Sequence, residues 1–260
     1  MNIFYLDENP VKAAEMSCDK HVTKMILESA QLLSTCHRVQ DGTEYYDKTA
    51  NGRKIKRWRH PNPNLEPILY KAGWIKHPST IWLFESAYNY MWLYNHFIAL
   101  NNEWKKRYGH TRDHVAVQKL GSILKHPPKN AKINKIATPI KPAMPEHCKI
   151  PGDGVGSYRR YYILEKKRFA TWKSPAKTPE WYLEGVKMRE QMIEALKAHA
   201  VGHIEKHKTN VEVLLQKAVG IGEHGDILTE VEKELKVIAE YDDQLEMLNK
   251  YFTVKDPFKS

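Results

Sequence analysis

Hydrophobic residues recur along most of the chain three or four positions apart, which is the spacing of a helix and not the alternation of a strand. No regular succession of strands and helices of the βαβ kind is visible. We therefore predict an all-α fold. In this prediction a compact basic helical domain with long loops is followed by an acidic C-terminal helical hairpin.

The first half of the chain contains two strongly periodic stretches. Val11–Val39 is predicted to form one or two helices, and Asn9-Pro10 before it suits an N-cap and a first helical position. Ile81–Tyr108 is predicted to form another helix, with Ser79 or Thr80 as its N-cap. Gly109 directly after this stretch is the expected stop signal.

Loops and shorter helices separate and follow these stretches. Asp41–Thr80 is rich in Gly, Asn, Pro and basic residues, so we expect a long loop with one short helix near Leu65–Ala72. Val115–Lys125 and Val155–Trp172 are predicted to be helical. The intervening Pro127–Pro151 holds six prolines and is expected to be extended or turning.

The last part of the chain is predicted to be a pair of helices. Val186–Lys217 and Ile227–Tyr251 have helical periodicity, and the glycine-rich segment Gly220–Gly225 separates them. Two helices joined by a short turn form an antiparallel hairpin.

Charge divides the chain at nearly the same place. Residues 1–180 carry 30 basic and 16 acidic side chains and residues 181–260 carry 11 and 15, so a net charge of +14 precedes one of −4. We predict a basic domain at residues 1–182 and an acidic hairpin at 183–260. Concentrated positive charge is typical of proteins that neutralise phosphates, so a nucleic acid is the expected partner. A merely basic protein is the alternative.

Length and composition exclude several classes of protein. A chain of 260 residues with 42% hydrophobic content can bury a sizeable core, so intrinsic disorder is not expected. Neither an apolar run of about 18 residues nor a signal-like N-terminus is present, so we expect a cytoplasmic location and no membrane partner. Cys18, Cys36 and Cys148 are odd in number and lack C-x-x-C spacing, which disfavours a disulfide framework and a cysteine zinc site.

The first long helix carries a row of polar side chains. His21, Lys24, Glu28 and Gln31 follow one another at helical spacing. The row offers an imidazole, an amine and a carboxylate within about 10 Å of helix length, which suits acid–base chemistry. The alternative is an ordinary solvated face on which Lys24 and Glu28 form an i,i+4 ion pair.

The same helix resembles that of a known family. Asp19, followed by His21 and then Glu28, is similar to the D-Q-H-L…E helix of the phage pyrimidine-dimer DNA glycosylases, the endonuclease V type. Three further similar segments follow in the family's order: His77, the helix from Leu93–His96 to Glu103–Thr111, and Thr178–Tyr182. Both parts of the chain also resemble proteins of tailed phages, and for a phage-encoded protein the expected location is the host cytoplasm.

The resemblance implies an activity and a set of catalytic residues. It implies a DNA glycosylase that acts on damaged or modified pyrimidines, with double-stranded DNA as its partner, AP-lyase activity as an option and no cofactor. In that family the free α-amine of the mature N-terminus attacks C1′ of the damaged nucleotide, and the helix carboxylate assists. An α-amine with a pKa of about 7.7–8 keeps more neutral nucleophile than a lysine near 10.4. The implied catalytic residues are Glu28, His21, Asp19, Met1 and Lys24.

The nucleophile is the point at which this sequence departs from the family pattern. The type member exposes a threonine after methionine removal, whereas the second residue here is Asn2, which is usually too large for that removal. The Met1 amine, Lys20 and Lys24 therefore stay open as alternatives. So does a reaction without an amine nucleophile, in which Glu28 activates water.

Two clusters of cations are candidates for contact with DNA. Residues 53–60 place five cationic side chains around a tryptophan in a predicted loop, which suits phosphates and stacking on an unpaired base. A solvated loop or a localisation signal is the alternative. The second cluster ends a helix, where the macrodipole favours cations in any protein. The predicted DNA-binding residues are Arg53, Lys54, Lys56, Arg57, Trp58, Arg59, Lys105, Lys106, Arg107 and Arg112.

The acidic hairpin contains a row of histidines. His199, His203 and His207 lie at i, i+4 and i+8, so adjacent pairs are candidates for chelation together with His224 and Asp226. The first and third are about 12 Å apart along a helix axis, too far to share one ion. We predict no metal here and favour a hairpin that packs on the basic domain or on a protein partner.

Two other classes of function remain open at this stage. One is a non-catalytic DNA-binding protein that keeps the glycosylase scaffold. The other is a phage structural or interaction protein whose acidic hairpin docks a partner.

Overall fold

The computed structural model describes residues 2–132, 136–216 and 226–252. Within these ranges it contains eight α-helices and one two-stranded sheet, so the mainly helical fold is confirmed and a small sheet is added. The chain divides into two compact units, Met1–Leu183 and Glu184–Ser260. No helix in the described ranges is long and apolar enough to cross a membrane.

The elements follow one another in a simple order. The first unit contains α1 (Pro10–Met16), α2 (Asp19–Asp41), β1 (Thr43–Lys48), β2 (Lys54–Arg59), α3 (Pro78–Glu85), α4 (Ala87–Tyr108), α5 (Val115–Leu120) and α6 (Gly154–Tyr161). A short 3-10 turn at Glu146–Cys148 precedes α6, and a π-helical turn at Tyr162–Lys166 continues it. The chain ends with α7 (Glu180–Gln216), α8 (Ile227–Met247) and a second π-helical turn at Leu248–Phe252.

The core of the first unit lies where α2 packs against α4. Ile26 and Leu33 of α2 and Leu93 and Phe97 of α4 are fully buried. Burial of each such side chain contributes roughly 1.5–3 kcal/mol, so this contact fixes the position of α2 and of the polar row on its other face.

The chain before α1 is irregular, and part of it is buried. Ile3, Phe4 and Leu6 are each less than a tenth exposed. Asn9 caps α1, since its side-chain oxygen accepts hydrogen bonds from the backbone nitrogens of Val11 and Lys12. These contacts hold the start of the described chain against the helical core.

The long predicted helices are each interrupted. The first stretch breaks between α1 and α2, so two helices form there. The stretch Ile81–Tyr108 was predicted as one helix, but Ser86 is extended (φ −156°, ψ 139°) and ends α3. Its side chain then accepts a hydrogen bond from the Tyr88 nitrogen and caps α4. Gly109 closes α4 in the left-handed conformation (φ 69°), as its position predicts.

The prediction of a loop over Asp41–Thr80 is wrong in part. β1 and β2 pair antiparallel, with Thr43 opposite Arg59 and Lys48 opposite Lys54, and Leu65–Ala72 is turn and coil without a helix. Most side chains of both strands are exposed, so no apolar alternation marks the hairpin. Cross-strand contacts stabilise it instead, because Lys54 Nζ lies 3.9 Å from the centre of the Tyr46 ring.

Two shorter helical predictions also end early. The helix expected at Val115–Lys125 stops at Leu120, and that expected at Val155–Trp172 stops after the π-helical turn at Lys166. Lys173, Pro175 and the residues around them are coil and turn.

In the second unit, the histidine row of α7 contacts α8. The His203 ring stacks on the Tyr241 ring with centroids 4.2 Å apart, and His207 Nδ1 lies 2.5 Å from Glu234 Oε2. The predicted turn Gly220–Gly225, with His224, lies outside the described residues. Ring stacking and a hydrogen bond thus join His203 and His207 to α8.

Candidate active site

The side chain of Asn2 anchors the first described residue of the chain. Its amide nitrogen donates to the carbonyl of Ala143 at 2.7 Å, and its amide oxygen accepts from the Tyr158 hydroxyl at 2.9 Å and from the Ile3 nitrogen at 2.8 Å. Tyr158 is fully buried, and burial raises the pKa of its hydroxyl. A neutral, buried phenol therefore fixes Asn2.

Glu28 of α2 lies directly beside this anchored residue. The backbone nitrogen of Asn2 donates to Glu28 Oε2 at 3.3 Å, and Lys24 Nζ lies 3.3 Å from Glu28 Oε1. The Glu28 side chain is 14% exposed, whereas that of Lys24 is 65% exposed. The carboxylate is thus shared between the start of the chain and the neighbouring lysine on the helix.

His21 lies two turns earlier on α2 and is packed between aromatic rings. The Phe4 ring stacks on it at 3.8 Å between centroids, and the Tyr162 hydroxyl lies 2.5 Å from its Nδ1. Phe4 itself has a positive φ of 54°, which turns the chain so that its ring faces α2. A non-glycine residue in this region is strained, and such strain often marks a functional site.

Burial decides the charge of His21. It lowers the pKa of the imidazole to about 3, and the nearby charges of Lys166, Lys24 and Lys20 act in the same direction. The ring is therefore neutral at physiological pH. His21 can accept or donate a hydrogen bond there, but it does not supply a positive charge.

These residues border one cavity of about 410 Å³. It is lined by Asn2, Phe4, Lys20, His21, Lys24, Met25, Glu28, Tyr161, Lys166 and Phe169. The structure therefore brings together the predicted Glu28, His21 and Lys24 and the alternative Lys20. Met1 lies outside the described residues.

Three further lining residues come from the chain near the end of α6. Lys166 Nζ donates to the Tyr161 hydroxyl at 2.8 Å and lies 4.1 Å from the centre of that ring. On the neighbouring wall, Lys20 Nζ lies 4.9 Å from the centre of the Phe169 ring. The cavity thus combines lysine ammonium groups with flat aromatic walls.

The predicted Asp19 does not line this cavity. Its carboxylate accepts from the Lys173 nitrogen at 2.8 Å and from the Thr171 hydroxyl at 3.1 Å, and Arg107 Nη1 lies 3.2 Å from its Oδ1. Asp19 fixes the segment after α6, which carries Phe169 into the cavity. Its observed contacts are those of a positioning residue.

Arg107 is buried in the same network. Its guanidinium also lies 3.0 Å from Glu103 and donates to the backbone carbonyls of Ser17 and Glu15. The side chain is 0% exposed, so it presents no surface to DNA. Arg107 instead ties α4 to the turn between α1 and α2.

His77, noted in the resemblance, lies within electrostatic range of Glu28. Its ring accepts a hydrogen bond from the Ser79 nitrogen at 3.2 Å and thereby caps α3. Burial lowers the pKa of His77, and the negative charge of Glu28 acts in the opposite direction.

The first predicted DNA-binding cluster lies on the β1–β2 hairpin. Lys54, Lys56 and Arg59 of β2 are exposed, as is Arg53 in the turn, whereas Arg57 and Trp58 are half-buried. Glu44 pairs with Lys56 at 2.9 Å across the strands. The hairpin therefore presents a largely cationic surface.

The second predicted DNA-binding cluster, at the end of α4, is less available for contact with DNA. Lys105 pairs with Asp113 at 2.9 Å and Lys106 with Glu103 at 3.4 Å, whereas Arg112 is exposed. Intramolecular carboxylates thus neutralise part of the charge at the end of α4.

The sequence-based prediction did not include Tyr161, Lys166 or Phe169 among the site residues, although the tyrosines between Arg159 and Lys166 suit either a core or the holding of an extruded base. Tyr161 and Lys166 are five positions apart, so an α-helix would place them on different faces. The π-helical turn, in which residues i and i+5 become neighbours, brings them together. The tyrosines among basic residues in this segment were the only available signal, and they equally suit a core.

Comparison with known families agrees with the helix resemblance. Residues 1–115 match the family model described as pyrimidine dimer DNA glycosylase. This match confirms the resemblance to that superfamily and covers α2, Glu28 and the hairpin. Neither a curated protein nor a solved structure gives a significant match. The segment with Tyr161 and Lys166 lies beyond the matched range.

Proposed function

We propose that this protein is a DNA glycosylase that acts on damaged or modified pyrimidines and also has AP-lyase activity. The observation that carries the proposal is the hydrogen bond from the Asn2 backbone nitrogen to Glu28, within a cavity bordered by lysines and aromatic rings. The family match over residues 1–115 supports a DNA substrate.

The α-amine of the mature N-terminus is the proposed nucleophile. If the methionine is retained, the amine belongs to Met1, the residue bonded to Asn2. If it is removed, the amine is the Asn2 nitrogen, which lies 3.3 Å from Glu28 Oε2. A free α-amine has a pKa of about 7.7–8, so a large fraction is neutral at physiological pH. Lys24 is the less suitable amine, because lysine amines have an ordinary pKa of about 10.4 and are far more fully protonated at physiological pH than an α-amine.

The proposed reaction proceeds in two stages. The amine nitrogen bonds to C1′ while the bond from C1′ to the base breaks, and the base leaves with the bonding electrons and takes a proton from water. The nitrogen then loses a proton to Glu28, which returns it to the sugar ring oxygen as the ring opens. Opening of the sugar ring gives a protonated Schiff base at C1′. Removal of a proton from C2′ then expels the 3′ phosphate, and water releases the enzyme. Glu28 accepts and returns the protons, a role that contributes about 10²–10⁴-fold in rate.

The aromatic walls provide a place for a base outside the duplex. Enzymes that act on a nucleotide must extrude it or a neighbouring base from the stack. Phe4, Tyr161 and Phe169 border the cavity, and stacking on such rings stabilises an unpaired base by about 1–3 kcal/mol. The ammonium groups of Lys20 and Lys166 then lie where a backbone phosphate would approach.

The β1–β2 hairpin is the proposed DNA-contacting surface. Arg53, Lys54 and Arg59 are exposed on it, and such side chains fix a protein on a duplex through phosphates. Removal of one phosphate-binding cation should reduce the slope of log affinity against log salt by about 0.9. We expect Lys54→Ala and Arg59→Ala to weaken duplex binding with this reduced slope, measured by fluorescence anisotropy over a salt series. Lys208→Ala in the acidic unit is the control and should bind like the wild type.

Strand cleavage of ultraviolet-irradiated duplex against untreated duplex tests the activity itself. We expect cleavage of the irradiated duplex only, and a loss of about 10²-fold or more in Glu28→Gln with DNA affinity nearly unchanged. Glu15→Gln, on the exposed face of α1, is the matched control. Binding without cleavage of either duplex would favour the non-catalytic DNA-binding protein instead.

A further inference from the structure

A second group of reactive side chains lies away from the candidate active site, where the hairpin joins α2. His37 and Asp41 stand one helical turn apart near the end of α2, and His60 directly follows β2. One ligand atom from each of the three lies within 4.8 Å of the others. Two imidazoles and a carboxylate form a donor set suited to a divalent transition-metal ion.

His60 has a buried ring nitrogen without a hydrogen-bond partner among the described residues. Its side chain is 6% exposed, and its Nε2 has no hydrogen-bond partner in the part of the chain that the structure describes. The closest acidic atom is Asp41 Oδ2 at 3.9 Å, which is too far for a hydrogen bond. A buried polar atom without a partner is costly, and an ion between these two atoms would contact both.

The other two side chains are already held in place. His37 Nε2 lies 3.0 Å from the Tyr90 hydroxyl, which itself donates to the Leu124 carbonyl at 2.9 Å. The hydroxyl oxygen therefore accepts from His37 Nε2–H, which leaves the lone pair on Nδ1. Such an outer hydrogen bond is typical of histidine ligands.

Backbone nitrogens from a later part of the chain hold the Asp41 side chain in place. Its two carboxylate oxygens accept from the nitrogens of Lys129 and Asn130, each at 2.9 Å. A carboxylate has about four acceptor positions, so these bonds leave room for a metal. The group borders a cavity of about 550 Å³, which gives an ion and its water ligands a route from solvent.

We propose that His37, Asp41 and His60 bind one divalent transition-metal ion, of which Zn²⁺ is the probe of choice. Bonds to Zn²⁺ are about 2.0–2.2 Å long, so a small side-chain rotation closes the three ligands on one ion. The ion would fasten the base of the β1–β2 hairpin to α2. The Asn62 backbone nitrogen donates to His60 Nδ1 at 3.1 Å, so the ring proton is on Nε2 when no metal is bound. When Nε2 binds the metal, the proton moves to Nδ1 and this hydrogen bond is replaced by the metal bond.

Metal titration of the full chain tests this proposal. After removal of metal with a chelator, we expect isothermal titration with Zn²⁺ to show one tight site and Co²⁺ to give the visible absorption of a protein-bound ion. His60→Gln should weaken this site by about 10²-fold or more. His147→Gln is the matched control, because His147, Cys148 and Glu165 are the other described group with metal-ligand composition.

A measurement on the wild type tests the proposal even if a variant does not fold. Ring-nitrogen NMR of the histidines should show a Zn²⁺-dependent shift of His60 Nε2 and a proton on His60 Nδ1. Absence of a Zn²⁺ site in the wild type, or a site unaffected by His60→Gln but lost in His147→Gln, would overturn the proposal. Equal binding by the wild type and both variants would overturn it as well.

Discussion

The backbone nitrogen of Asn2 and the carboxylate of Glu28 are 3.3 Å apart, although 26 positions separate them in the chain. The contact places an acid–base group beside the second residue of the sequence. An amine at that point and a carboxylate within hydrogen-bond reach are the two groups that Schiff-base chemistry at C1′ requires.

The Tyr158 hydroxyl should matter for catalysis although it lies behind the site. In Tyr158→Phe the Asn2 amide oxygen loses its 2.9 Å bond, while the N-terminal residues and their processing stay the same. A misplacement of about 1 Å can cost about 10²-fold, so we expect single-turnover cleavage to fall by about 10- to 100-fold. Tyr94→Phe removes a comparable bond, to the Gly121 carbonyl, outside the site. Equal rates for the two variants would show that the anchor has no catalytic role.

Arg107 should be essential for stability and not for DNA binding. Arg107→Met leaves the carboxylates of Glu103 and Asp19 without their buried cation, and such a loss typically costs about 3–5 kcal/mol. Urea unfolding measures the change in the free energy of unfolding. The exposed Arg112→Met should differ from the wild type by no more than about 0.5 kcal/mol. Wild-type stability of Arg107→Met would refute the buried network.

The neutral state of His21 predicts a pH dependence of stability. Its folded pKa is lowered to about 3 from an ordinary value of 6.5. Between these values the unfolded chain binds a proton that the folded chain does not. The free energy of unfolding therefore falls as pH decreases below about 6.5, by up to about 1.4 kcal/mol per pH unit for this residue.

Urea unfolding at a series of pH values measures this effect. His21→Gln should reduce the slope, whereas the exposed His110→Gln should leave it unchanged. His37 and His96 also have pKa values lowered to about 4 by burial, so part of the slope should persist. Identical slopes for the wild type and His21→Gln would contradict a buried neutral imidazole.

Local patterns predicted only part of this molecule. His21, Lys24 and Glu28 could be placed on one face because a single helix fixes their spacing. Tyr161 and Lys166 reach the same cavity from more than 130 positions away and through a π-helical turn, which helical periodicity does not encode.

The burial or exposure of particular side chains could not be predicted from the sequence either. Arg107 ends a helix beside two lysines and so resembles an exposed cation, yet the carboxylates of Glu103 and Asp19 hold it inside the fold. The β1–β2 hairpin was missed for the converse reason. Its strands are so exposed and charged that no apolar alternation distinguishes them from a loop.

Borohydride reduction during reaction with lesion-bearing duplex tests the central claim most directly. Reduction converts a Schiff base at C1′ into a stable protein–DNA adduct, whose peptide can be identified by mass spectrometry. We predict one adduct on the α-amine of the N-terminal peptide, Met1 or Asn2 according to processing. An adduct on Lys20, Lys24 or Lys166, or no adduct while cleavage proceeds, would contradict the assignment of the α-amine beside Glu28 as the nucleophile.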